Sequence, residues 1–364
     1  MVGAKSAAKV WPEADSELIK VMASYTLQRL LLLIPTFIGV TLIGFLVMRL
    51  APGDPAQLRA AGGLGGAGGA GISLQKRGVV DQALAQWRAQ FGLDRPLHVQ
   101  YAIWLKNLCT FNFGDSFKDN QPVWSKIRDR VPVTVRLNVL SILLVYVVAI
   151  PLGIYSATHV NSLADRVTTL AAFVLFAVPL VWAATMAIVF VCGGDFLYLF
   201  PPAGLESLDF ASDWSLWKKL KDQAWHLFLP VVLLSYDGFA GLSRYMRSSM
   251  LDVLGQDFVQ VARAKGLAER VVILKHVLRN SLIPQVTILA SILPGLIGGS
   301  VIIETIFSIP GLGQLGYESV LARDYPTVMA LFTVSAILTL IGILISDLLL
   351  AAVDPRIAFG RRQQ

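Results

Sequence analysis

The chain has 364 residues, of which 55% are hydrophobic and only 15% charged, with a mean hydropathy of +0.63. A soluble domain carries roughly 25% charged residues, so this chain has too little polar surface to cover itself in water. Disorder, a collagen-like fibre and a disulfide scaffold are excluded as whole-chain descriptions. The net charge of +7 would suggest nucleic acid in a soluble protein. In a membrane protein it instead reflects cationic loops held on the cytoplasmic side, and no nucleic acid is expected as a partner.

A spanning helix needs about 20 mainly apolar residues. Six runs qualify: 30–48, 137–164, 167–194, 223–243 (with one charge, Asp237), 280–303 and 325–346. Backbone in lipid must satisfy its own hydrogen bonds, so each run reads as a helix and the whole as an all-α membrane bundle. The alternation of a membrane β-barrel is absent from the sequence. The first run is too long and begins too late for a cleaved signal, and no small-residue cleavage pattern follows it. Residues 1–24 read as a polar N-terminal tail and 25–50 as the first span.

With six spans both termini share a side. That side holds fifteen Lys and Arg, counting the tails, Arg166 and the 244–282 connection, whereas the short connections opposite hold Lys218, Lys219, Lys221 and Arg323. The positive-inside rule then places both termini, and the C-terminal tail 354–364, in the cytoplasm.

The outer segment 51–132 opens on Ala51-Pro52-Gly53-Asp54-Pro55, a helix stop and turn, and continues into a glycine-rich linker over 60–78. Seven of the twelve residues from Ala60 to Gly71 are glycine, but the Gly-Lys-Ser/Thr ending of a phosphate loop is missing. From Asp81 the pattern turns helical. Tyr101, Trp104, Leu105 and Leu108 make one apolar face, and Trp124, Ile127 and Val131 another, as expected of a helical cap on the bundle.

The core over 133–353 contains two further features. The connection 244–282 is far longer than a turn between helices requires and carries seven cations. It reads as two short helices. In the first, Phe258, Val261, Ala262 and Lys265 share a face, and Gly266 is placed to end it in the left-handed conformation. The second spans about 268–282. Small residues at Ala262, Ala264 and Gly266 would let another backbone approach. The other feature is Gly311-Leu312-Gly313-Gln314-Leu315-Gly316, which has the spacing of a dinucleotide fingerprint. No strand precedes it, so it reads as a tight turn. Asp237, a carboxylate inside a span, is a candidate for the substrate path, since such groups face cavities or partners. His98, His159, His226 and His276 form no ligand pattern, Cys109 and Cys192 read as two unrelated thiols, and no metal or cofactor is assigned.

Val261-Ala262-Arg263-Ala264-Lys265-Gly266-Leu267, with Lys275-His276-Val277-Leu278-Arg279-Asn280-Ser281-Leu282-Ile283-Pro284, resembles the cytoplasmic motif of ABC-importer permeases, in particular the dipeptide/oligopeptide/nickel family. Ala51-Pro52-Gly53-Asp54-Pro55, Phe91-Gly92-Leu93-Asp94, Phe113-Gly114-Asp115-Ser116, Arg130-Val131-Pro132-Val133-Thr134, Ile303-Glu304-Thr305-Ile306-Phe307 through Gly313, Arg323-Asp324-Tyr325-Pro326 and Asp354-Pro355-Arg356-Ile357 agree with it. The stretch from Cys192-Gly193-Gly194-Asp195-Phe196 to Phe200-Pro201 is similar to the branch linked to microcin C and oligopeptide uptake.

The resemblance implies a six-helix permease in the bacterial inner membrane. It also implies a second homologous permease, two cytoplasmic ABC ATPase subunits and a periplasmic solute-binding protein. Asp257, Val261, Ala262, Arg263, Ala264, Lys265, Gly266 and Leu267 would couple it to the ATPases, and the chain itself would catalyse nothing. The family motif often opens with an acidic residue and two alanines, where this chain has Val261-Ala262-Arg263-Ala264; Asp237 stands where the family favours small or apolar residues. An ion-coupled secondary transporter is the alternative reading, but it would call for paired intramembrane acids and an inverted repeat.

Overall fold

The computed structural model describes residues 10–50, 95–193, 196–211, 213–292, 294–295 and 300–353; side chains are described from residue 24 onward, excepting 25, 47–50, 109 and 351–353. The glycine-rich linker, the 91–94 motif, the 354–357 motif and the side chain of Cys109 lie outside the described residues.

The described residues are helical apart from connections and one isolated bridge between Asp115 and Pro122. In chain order the helices are α1 (Val10–Leu50), α2 (Leu97–Cys109), α3 (Val123–Thr158), α4 (Leu163–Ala177), α5 (Leu180–Ala187, extended by a π-helical turn Ile188–Cys192), α6 (Leu216–Leu254) and α7 (Asp257–Ala264). Then come α8 (Glu269–Val271), a π-helical stretch (Val272–Val277), α9 (Leu278–Ser281), α10 (Ile283–Ile292), α11 (Val301–Ile306), α12 (Leu312–Leu321) and α13 (Tyr325–Val353).

Four helices are long and apolar enough to cross a bilayer, over Thr26–Leu46, Val123–Thr158, Leu216–Leu254 and Tyr325–Leu350. Much of their apolar surface points outward; only 11% of the α1 stretch is buried. Such large exposed apolar areas are incompatible with water.

Two expected spans take another form. The run 167–194 is not one straight helix, because α4 and α5 meet at a 93° bend. Pro179 has no N–H to donate and forces Val178 out of the helical region, to φ −81° and ψ 121°. In the run 280–303, α10 has 10 residues and ends before Pro294-Gly295, and α11 follows after a stretch outside the described residues. Runs bounded by charges were blind to these breakers. Three expected boundaries also fall inside helices: α1 already begins at Val10, α3 passes through 132–133, and α6 carries the chain on to Leu254. At ~1.5 Å per residue the 39 residues of α6 reach about 58 Å, well beyond a hydrocarbon core of ~30 Å.

The centre of the bundle is the pairing of α3 with α6. A Cβ on Gly153 would lie 2.5 Å from the Met246 side chain, and one on Gly238 would lie 2.9 Å from Val145. Bare backbone at these two points lets the helices approach closely, which is how helices associate where lipid removes the hydrophobic drive. A buried hydrogen bond between the Ser141 and Ser235 hydroxyls (2.9 Å) adds a polar clasp. The α2 face expected from the sequence packs back on α1: Tyr101 and Trp104 lie 5.5 and 6.0 Å from the Phe45 ring, and the Tyr101 and Thr41 hydroxyls are 2.9 Å apart. Of the second expected face, Ile127 is buried against α12 and α13, whereas Trp124 turns to Phe111 and Phe113.

Candidate functional site

The residues expected to couple lie together beyond the far end of α6, all but Ala262 exposed. There α7 turns back and buries two side chains, Val259 and Ala262, in a cluster shared by α6 and the π-helical stretch. Both are buried among Met246, Met250, Val253, Val272 and Val277. Ala262 therefore leaves the face assigned to it with Phe258, Val261 and Lys265; the inward stripe is 259 and 262, three residues apart. Asp257, Val261, Arg263, Ala264, Lys265, Gly266 and Leu267 are all exposed. Phe258, Val261 and Leu267 form an outward apolar strip next to Arg263 and Lys265.

The helix stops where the glycine expected it to stop. Gly266 has φ +76°, its N–H donates to the Arg263 carbonyl (2.9 Å), and the Leu267 N–H donates to the Ala262 carbonyl (3.4 Å). These two bonds are a Schellman motif, closing the carbonyls that a helix end leaves unpaired. Across the turn Arg263 Nη2 donates to Glu269 Oε1 (2.6 Å) and Nε to Oε2 (3.1 Å). Hydrogen bonding from Arg263 holds the Glu269 carboxyl below its usual range, and the same contact raises Arg263. The return path is not the single helix expected over 268–282; it contains the π-helical stretch. Ser249 Oγ donates to the Ser281 carbonyl (3.0 Å) and Ser281 Oγ to the Ser249 carbonyl (3.3 Å), fastening that return to α6. The element is thus tied to one long helix at two places, the shared apolar cluster and the Ser249–Ser281 pair.

Asp237 is not part of this surface. It lies twenty residues upstream on α6, about 26 Å before the helix ends at ~1.5 Å per residue. It is exposed, with Oδ1 accepting from the Gly238 N–H (2.8 Å).

At the opposite end of the bundle the sequence reading missed two buried carboxylates. Glu304, fully buried on α11, accepts from the Thr134 hydroxyl (3.0 Å) and from the Gln314 N–H (3.0 Å), while Thr134 Oγ1 in turn accepts from the Leu312 N–H (2.8 Å). A Cβ on Gly311 would come within 2.3 Å of the Glu304 carboxyl, and one on Gly313 within 2.8 Å of the Val301 nitrogen. The fingerprint-like glycines do cradle an acidic group at a helix N-terminus, but the group is the chain's own carboxyl. Asp324, also fully buried, accepts from the Phe117 N–H (2.9 Å), the Thr327 hydroxyl (2.6 Å) and the Ser116 hydroxyl (2.5 Å). Lys126 reaches Ser116 Oγ (3.1 Å) and Asp119 (2.7 Å). Burial alone would raise the Asp119 carboxyl, but bonds from Lys126 and the Gln121 N–H bring it below its usual value.

These contacts join motifs far apart in the chain. Phe113–Ser116 meets Arg323–Pro326 across 208 residues, and Arg130–Thr134 meets Ile303–Gly313 across 170 and 178. Spacing in sequence could not have revealed the pairing. Among the described residues no group of three His, Cys, Asp or Glu side chains could hold a metal. Cys192 is a buried free thiol.

Comparison with known proteins agrees with this architecture. Residues 149–359 match the family described as binding-protein-dependent transport system inner membrane component, and residues 22–138 match the N-terminal region of such membrane components. The oligopeptide transport system permease protein AppB of Bacillus subtilis (strain 168) is 38% identical, covering 93% of this chain and 100% of its own length. The peptidoglycan transport system permease protein YejB of Agrobacterium fabrum is 37% identical (94% and 100%), and the dipeptide transport system permease protein DppB of Escherichia coli (strain K12) 33% identical (92% and 99%). The chain belongs to the family of inner-membrane permease components of binding-protein-dependent transport systems.

Proposed function

We propose that this chain is a permease subunit of an ATP-driven importer that moves peptides or peptide-like solutes from the periplasm to the cytoplasm. Two cytoplasmic ATPases supply the energy, a solute-binding protein delivers the cargo, and a second, similar permease completes the pore. In this reading the chain crosses the membrane six times, with α4–α5 as one bent span and the α10–α11 region as the fifth. Both termini and the 244–282 connection are cytoplasmic, and residues 51–132 begin on the periplasmic side.

The observation that carries the reading is α7. It is a short helix joined to a helix long enough to leave the membrane, with apolar and cationic side chains that stay exposed among the described residues. A displacement of that strip moves α6, and through the α3–α6 pairing it moves the bundle. Asp257, Val261, Arg263, Ala264, Lys265, Gly266 and Leu267 would contact the ATPase, and Ala262 would hold α7 in place from behind. The peptide cargo is the one printed in the names of the oligopeptide and dipeptide permeases to which this chain is similar.

Gly266→Val tests the lever. Its Cβ would meet no atom within 4 Å, so the defect is confined to a φ of +76°. Left-handed backbone costs a β-branched residue at least about 1–2 kcal/mol, enough to unwind the Schellman turn and reorient α7. The expected result is membrane insertion and subunit assembly at wild-type levels with peptide uptake reduced several-fold. Wild-type uptake in reconstituted vesicles would remove the lever.

Asp237 is assigned to the substrate path, because a carboxylate exposed on a span faces water or a partner more readily than lipid. Asp237→Asn is expected to change the ranking of peptides by N-terminal charge in competition uptake assays while total assembly is unaffected. An unaltered ranking would end the assignment.

A further inference from the structure

Where α4 begins and α6 leaves its apolar stretch, the two helices enclose an open cleft of about 620 Å³. Asp165, Arg166, Phe173, Arg244, Arg247 and Ser248 line it. Three guanidinium groups thus face one carboxylate. Arg247 is fixed by that carboxylate: its Nε and Nη2 donate to Asp165 Oδ1 and Oδ2 at 3.2 and 3.1 Å. Asp165 is itself held by the Ser156 hydroxyl and the Asn161 N–H. The Arg244 guanidinium stands over the Phe173 ring, 4.5 Å from its centroid, a cation–π contact that uses none of its N–H donors in a salt bridge. Arg166 is exposed, and among the described residues neither it nor Arg244 has an acidic partner. The cleft keeps two positive charges uncompensated.

The surroundings say what would compensate them. Leu170 and Phe173 line the same cleft and are 65% and 48% exposed, and the outward face of α4 continues with Val174 at 57%. An apolar wall beside planar, bidentate cation donors matches a molecule with an anionic head and a hydrocarbon tail. Guanidinium groups suit phosphate oxygens in paired geometry, and basic pockets between spanning helices are suited to anionic headgroups.

We propose that this cleft is a binding site for an anionic phospholipid, its phosphodiester held by Arg166, Arg244 and Arg247 and its acyl chain lying along Leu170 and Phe173. The site goes beyond the importer reading and needs only that α4 and α6 lie in the membrane. It can therefore fail while the importer reading stands, and the reverse.

The test uses the full-length chain, purified in mild detergent and examined by native mass spectrometry with added dioleoylphosphatidylglycerol or dioleoylphosphatidylcholine. Phosphatidylglycerol is expected to be retained preferentially. Arg166→Gln should weaken that retention on the order of fivefold, and the Arg166→Gln/Arg244→Gln pair roughly twentyfold, since each basic residue near an anionic surface contributes a comparable step. Arg270→Gln, which removes an exposed cation outside the cleft, should leave retention unchanged. Arg166 is exposed and its side chain makes no hydrogen bond or ion pair among the described residues, so the single variant remains informative if the pair is unstable. Equal retention of the two lipids overturns the proposal, as does undiminished phosphatidylglycerol binding by Arg166→Gln. Displacement of the lipid by millimolar inorganic phosphate would identify a site for free anions instead, and would also overturn it.

Discussion

Replacing Glu304 by alanine is expected to destabilise the chain more than any other single change at the α11–α12 end of the bundle. The substitution removes the acceptor for the Gln314 N–H and the Thr134 hydroxyl, and it opens a void where Gly311 and Gly313 now close on the carboxyl group. Leaving buried donors unpaired costs about 1–3 kcal/mol each, and the substitution leaves two. Water cannot repair the loss easily, because Glu304 is wholly inaccessible. Thermal unfolding in detergent should show a midpoint lower by several degrees, together with less full-length protein in membranes. Glu304→Gln keeps an acceptor for one of the two donors and should fall between alanine and wild type. A midpoint for Glu304→Ala equal to that of wild type would mean that the glycine cradle, not the carboxylate, holds α11, α12 and α3 together.

This carboxylate also marks how far the sequence could be read. Helical class, membrane residence and four of the spans follow from apolar runs alone, because lipid imposes length and hydropathy directly on the chain. The turn at Gly266 was legible for a similar reason: a left-handed residue is required where a helix reverses, and glycine adopts that conformation without a Cβ penalty. The 93° bend at Val178–Pro179 was in principle readable, since Pro179 stands in plain sight; a method based on gaps between charges ignored it. The inward face of α7 was misassigned at one position because only two of its residues are buried, too few for a periodic signal. The Thr134–Glu304 and Ser116–Asp324 contacts were illegible for a deeper reason. They depend on which segments meet in space, and neither residue's neighbours along the chain differ from those of a solvated acid at a helix end.

The same geometry of α7 separates folding from coupling. Val261 and Ala262 are adjacent in sequence, yet Val261 is 52% exposed and Ala262 is 6% exposed. Ala262→Glu would force a carboxylate between Met246, Met250 and Val272, with no cation or donor there to receive it. Burying an unpaired charge costs several kcal/mol, so α7 is expected to detach, with a lower unfolding midpoint and protease cleavage near residues 255–267. Val261→Glu places the same group where it meets water in the isolated chain, and stability should be unchanged. Its cost comes only when a partner covers the strip and the carboxylate loses its hydration. A penalty of about 1.4 kcal/mol or more at that contact is a tenfold or greater loss of affinity, so ATP-driven uptake should fall at least tenfold in reconstituted complexes while basal ATP hydrolysis by the ATPases persists. The two variants therefore fail in opposite assays. If Val261→Glu instead unfolds the chain, or transports peptide at the wild-type rate, the outward strip of α7 is not the surface through which the partner's work enters this bundle.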